Sequence, residues 1–187
     1  MKKTLTLCLL LASCSLYAQE VELAKSQLNL NILPLTLSFE GKVSDNQSIT
    51  LAGGLGYTAY YSSDSFAGDE AVFIAIPVVY SSFRNYYSRK FIRKDNLRPN
   101  SGNYFGLFAS YQFETLGTPS NFTEVIAYRE TSNVYTVGPV WGFERNYASG
   151  MHLGLSLGAG VIGGKYIETN ATILGEFELG FVLFQNK

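Results

Sequence analysis

The sequence predicts an all-β protein, an eight-stranded antiparallel up-and-down transmembrane β-barrel, and three observations carry that expectation. Apolar residues alternate with small or polar ones at period two along most of the chain. The face opposite the apolar one holds Gly, Ser, Thr and several Glu, which suits a crowded, enclosed interior better than a solvated sheet face. Aromatic residues make up 14% of the chain, with 13 Tyr and 13 Phe, whereas charged residues reach only 16% against about 25% in an ordinary globular domain.

At 187 residues the chain is one domain by length. Its start reads as an export signal over residues 1–18: Lys2 and Lys3 precede an apolar run from Leu5 to Leu11, and Tyr17-Ala18 offers a cleavage site before Gln19. That run is too short for a membrane-crossing helix, which needs about 20 apolar residues. Leu11-Ala12-Ser13-Cys14 permits a second reading, cleavage before Cys14 with lipidation of its thiol. Cleavage after Ala18 removes both cysteines, Cys8 and Cys14, so the mature chain has no thiol or disulfide chemistry. Twelve Lys and Arg then face 15 Asp and Glu, a net charge of about −3, and nothing in that balance points to nucleic acid.

Residues 19–26 lack a pattern and read as a short periplasmic leader; the barrel domain is expected over 27–187. In 27–33, Leu28, Leu30 and Ile32 lie opposite Asn29 and Asn31. Pro34, which cannot donate to a ladder, separates this strand from the next, 35–43; without that break the count falls from eight to seven. The turn 44–46 closes a hairpin onto 47–62, where Ile49, Leu51, Leu55 and Tyr57 face one way and Thr50, Ala52, Gly54 and Gly56 the other. A polar loop over 61–68 precedes the strand 70–87, whose first half is apolar on both faces and in which Pro77 suggests a bulge that exchanges them.

The segment 88–101 holds the basic cluster, Arg89, Lys90, Arg93, Lys94 and Arg98, and reads as a solvated turn. Alternation returns over 105–114, stops in the long loop 116–131, and resumes over 132–147. The tight turn 148–150 leads to a strand from Met151, followed by a loop over 163–170 and a last strand over 171–184. With eight strands, the turns 44–46, 88–101 and 148–150 fall on the periplasmic side and the loops 61–68, 116–131 and 163–170 outside. An external position for the basic segment 89–98 would invert that arrangement. Tyr57, Tyr61, Tyr87, Tyr135 and Tyr147 fall near strand ends, as an aromatic girdle requires.

A soluble barrel or sandwich is the main structural alternative. It would have to pack the bulky faces into its small interior and leave the Gly-rich faces outside, whereas a membrane barrel turns the bulky faces to lipid and satisfies every strand edge by closure. The export segment ending SLYAQ, the strand LTLSFEGKV, the segment SSFRNYYS and the strand GNYFGLFASYQF together resemble the small outer-membrane β-barrel proteins of Gram-negative bacteria, of the OmpA/OmpX type. That resemblance covers nearly the whole mature chain and implies an eight-stranded, monomeric barrel in the outer membrane, among its lipids and lipopolysaccharide.

No catalytic, cofactor-binding or metal-binding residue stands out. His152 is the sole histidine and reads as a hydrogen-bonded filler, since metal sites want several converging ligands. Ser156 shares its face, but four positions along a strand span roughly 13 Å, too far for a nucleophile and its base. The inward Glu40, Glu114, Glu144, Glu176 and Glu178, with Lys42 and Arg84 as partners, are expected to form an interior polar network, because buried carboxylates must be paired. The sequence-level expectation is thus a structural or surface-binding outer-membrane barrel, not an enzyme and without a cofactor, whose external loops carry any surface ligand. A small transporter or channel and a lipid A modifying enzyme are the alternatives.

Overall fold

A computed structural model describes residues 23–64, 68–88, 97–114, 133–165 and 167–186. The export segment, Cys14, the bulk of the basic cluster and the whole of the loop 116–131 lie outside these residues. Eight strands follow one another: β1 (Ser26–Leu33), β2 (Leu35–Ser44), β3 (Gln47–Asp64), β4 (Gly68–Ser88), β5 (Gly102–Gln112), β6 (Val134–Asn146), β7 (Met151–Gly164) and β8 (Ile167–Asn186). Each pairs antiparallel with its chain neighbours, and β1 with β8, so the sheet closes on itself. Pro34 does separate two strands, and the count is eight.

Closure removes the sheet edges, and the period-two pattern then sorts side chains into an inside and an outside. Large apolar residues stand exposed on the outer face of every strand, among them Leu30, Leu37, Leu51, Phe83, Phe105, Trp141, Leu157 and Phe181. The buried face holds Asn29, Asn31, Thr36, Ser38, Glu40, Ser48, Thr50, Ser82, Arg84, Glu144, Asn146, His152 and Glu178. This is the reverse of a water-soluble domain. A small barrel also bends sharply, and its inner glycines permit this: a Cβ added at Gly54 or Gly158 would run into the backbone carbonyl of Leu35 or Pro139 on the adjacent strand.

The end that holds Lys25, Asn186 and the turn at Gly150 is called the lower end; Pro34 and the β7–β8 turn lie toward the upper end. Gly150 closes the β6–β7 turn with φ at 93°, where a residue with a Cβ would be strained. Several expected boundaries are corrected. The segment 163–170 is mostly strand, with Gly164 paired to Ile167, and β3 and β4 run on through the expected loop 61–68 until Asp64 meets Gly68. Pro77 causes no bulge against β3: the register runs unbroken from Gln47↔Asn85 to Asp64↔Gly68. The register of β4 against β3 is therefore continuous through Pro77.

The described ends of two segments, the expected leader and the basic segment read as a solvated turn, enter the lower mouth. Leu23 and Ala24, at the end of the expected leader, are buried, and Lys25 hydrogen-bonds through its backbone to Asn186 and Lys42. The last residues of the basic segment fold in as well. Asn100 and Ser101 are fully buried, while Arg98 donates to the Ala148 carbonyl at the rim.

Candidate functional site

The barrel interior is a polar core centred on Arg84 of β4. Its guanidinium Nη1 lies 2.5 Å from Glu144 Oε2 of β6 and its Nη2 3.5 Å from Glu178 Oε2 of β8, while Nε donates to Ser82 Oγ at 2.9 Å. The Tyr104 ring packs against the same guanidinium, 4.9 Å from ring centre to Cζ. Alternation turns these groups to one interior, since every second residue of β4, β6 and β8 points inward, and the long Arg84 side chain spans the offset between their rows.

Below Arg84 the carboxylate of Glu40 on β2 accepts from Ser48 Oγ, from the Tyr86 hydroxyl at 2.8 Å and from Asn100 Nδ2 at 2.7 Å. The Tyr86 hydroxyl also lies 3.1 Å from Glu144, so its single proton lies between two carboxyl groups. Glu144 further accepts from Gln27 Nε2 at 3.2 Å and from Asn146 Nδ2 at 2.9 Å. His152 directs Nδ1 at Asn146 Oδ1, 2.7 Å away, and its Nε2 stands 3.6 Å from Glu178. Above Arg84, Glu178 accepts from Asn31 Nδ2 at 3.0 Å and from the Tyr80 hydroxyl at 2.5 Å.

Of the seven residues expected in the network, Glu40, Arg84, Glu144 and Glu178 meet in it. Glu176 sits on the same inner face of β8 one pair of residues higher, at the floor of a cavity in the upper barrel. Lys42 does not join: near the lower end of β2 it reaches the turn and pairs with Asp45 at 2.9 Å, exposed to the outside. Glu114 lies beyond the end of β5 and is exposed, so the alternation that placed it inward has already stopped. The expectation that both belong to the interior is corrected on those grounds.

The network is wider than its charged members. Gln27, Asn31, Asn146, Tyr80, Tyr86 and His152 contribute as much hydrogen bonding as the ions do. Their inward positions follow from alternation. Asn100 carried a different signal. It has φ at 60°, the left-handed conformation that Asn tolerates in turns, and it belongs to a Pro-Asn-Ser-Gly run of turn formers. Its side chain accepts from the Ala24 backbone N–H at 2.7 Å and donates to Glu40, and its own carbonyl accepts from Asn146 Nδ2 at 3.0 Å. Together with Gln185, which donates to the Pro99 carbonyl at 3.1 Å, it stoppers the lower mouth.

The arrangement suits cohesion better than reaction. Ser156 is buried on the His152 face, but the two are separated by four positions of one strand, and each carboxyl near the imidazole is already held by Arg84, Asn or Tyr donors. Among the described residues no group of three or more His, Cys, Asp or Glu is placed to hold a metal ion. Comparison with protein-family models, with curated proteins and with solved structures finds no match to this chain.

Proposed function

We infer that this chain is an outer-membrane β-barrel of structural or surface-binding role, with an interior blocked at the level of Arg84 and no catalytic activity. The observation that carries the reading is the inversion of its two faces: an apolar exterior on all eight strands around a hydrogen-bonded polar core. In water such an exterior would far exceed the few hundred Å² of apolar patch that monomers usually expose, whereas in a bilayer it is the solvated surface. Aromatic groups at both ends of β5 and β6 support the same setting. Trp141 Nε1 donates to the Tyr87 hydroxyl at 2.6 Å, with Tyr87 stacked on Phe105, toward the lower end. Tyr111, Phe113 and Tyr135 stand toward the upper end.

Lipids and lipopolysaccharide are then the barrel's neighbours, and it is expected to work as a monomer because its outward face is already matched to lipid. The stopper at Asn100 and the filled level at Arg84 argue for a barrel that does not conduct. Purified, folded protein in a planar bilayer tests this. The reading requires an unchanged baseline current, and reproducible conductance steps would favour a channel instead. Lipid mass spectrometry of cells with and without the gene separates the enzymatic alternative, since a changed lipid A would overturn the non-catalytic assignment.

A further inference from the structure

The wall of the barrel is not equally tall all round. β1 and β2 span 8 and 10 residues, while the strands flanking that hairpin, β3 and β8, span 18 and 20. Pairing of β1 with β8 stops at Leu33↔Leu179, and pairing of β2 with β3 stops at Leu35↔Leu55. Above these points, among the described residues, β8 pairs with β7 alone and β3 with β4 alone. The hairpin at Pro34 thus leaves a notch in the wall, bounded by one edge of β3 and one of β8.

A cavity of about 460 Å³ lies behind the notch, a volume typical of small-molecule sites. Tyr80, Phe108, Leu174 and Glu176 line it from the barrel interior, yet Leu33, Ile173 and Phe177, which stand exposed on the outer surface, line it too. Space that touches both faces of β8 must pass around its free edge. The cavity therefore opens sideways, through the notch, at a height where β8 still presents apolar side chains outward.

Its chemistry is one-sided. The walls are largely apolar, and the Ser110 and Thr136 hydroxyls are bonded to each other at 2.7 Å. The Tyr80 hydroxyl donates to Glu178 and stands within reach of Glu176 as well. Among the described residues, Glu176 is the only carboxyl on the lining, and no Lys, Arg or His lines the cavity. Arg84, the nearby guanidinium, is engaged below by Glu144 and Glu178. A carboxyl group in apolar surroundings without a lining cation is complemented by a cation that brings its own apolar body.

The geometry points to a binding site for a single-chain amphiphile bearing a primary ammonium, its head against Glu176 and its tail leaving through the notch between β3 and β8. A phospholipid headgroup is a poor fit, because its phosphate would approach Glu176 and Glu178 together. The route of the tail rests on the membrane reading above; the head site rests on the cavity itself.

The test uses the ¹⁵N-labelled protein in phosphatidylcholine nanodiscs, titrated with decylammonium and, separately, with decanoate. Saturable amide shifts are expected at Gly56 and Gly175 with decylammonium and not with decanoate. Glu176→Gln should weaken the binding roughly tenfold through loss of one charge-assisted hydrogen bond. Gly56→Leu should abolish it by filling the cavity, and the barrel should tolerate the change, since a Cβ there meets nothing closer than 3.6 Å. Equal affinity in the Glu176→Gln protein, equal binding of decanoate, or unsaturable shifts spread over the outer face would overturn the proposal. Failure of the wild-type protein to enter nanodiscs is seen before any titration and would sink the membrane reading, and the tail route with it.

Discussion

Arg84 is the residue on which the interior depends, because three buried carboxyl groups, Glu40, Glu144 and Glu178, face one guanidinium and one imidazole. Removing one partner of a buried pair leaves an uncompensated charge and typically costs about 3–5 kcal/mol, whereas replacing both partners with neutral groups costs far less. Arg84→Ala should therefore lower the unfolding temperature of the detergent-solubilised barrel sharply, and Arg84→Met combined with Glu144→Gln should recover part of the loss. Calorimetry or temperature-dependent loss of the folded gel band reads both. An unchanged midpoint in Arg84→Ala would contradict the pairing. Asn100 offers a second residue-scale test. Asn100→Gly keeps the left-handed conformation and deletes the amide, so a loss of about 1–3 kcal/mol there measures the hydrogen bonds to Ala24 and Glu40 apart from backbone strain.

The strands owe their curvature to glycines that look alike in sequence and differ in what surrounds them. A Cβ on Gly158 would collide with the Pro139 carbonyl and lie 2.9 Å from Val140 Cα, whereas one on Gly56 meets only ordinary contacts. Gly158→Ala should destabilise the barrel by about 1–3 kcal/mol, as overpacking does, and Gly56→Ala should be close to neutral. Denaturant titration of the two variants checks the contrast, and equal effects would mean that the β6–β7 wall is looser than described. Strand ends were the least legible feature. Polar residues at 61–68 and 163–170 read as loops, but hairpin arms that rise beyond the apolar band can carry polar side chains and keep pairing, as Asp64↔Gly68 and Gly164↔Ile167 do.

At the level of the whole molecule, alternation marks the strands and Pro34 decides the count between seven and eight; their order then follows, because in a closed up-and-down barrel every contact between neighbours follows chain order. The interior was legible in the same way wherever a side chain sits within a strand: Glu40, Arg84, Glu144 and Glu178 converge as their parity requires. Parity stops carrying information at strand ends, and there Lys42 turns out to Asp45 and Glu114 stays exposed. It says nothing of loops that fold back, so the stopper at Asn100 required the fold. The notch above Pro34 was equally hidden, since it arises from the difference in length between β1–β2 and their flanking strands and not from any one residue.

We propose that the closed barrel turns its apolar face to the outer-membrane bilayer. Gel migration of the protein, extracted from outer membranes and loaded with and without boiling, tests it most directly. A closed barrel with this core stays folded in the unboiled sample, so two bands of different mobility are predicted, the faster one lost on heating. A single band of unchanged mobility, or a protein recovered only in the soluble fraction, would contradict the account.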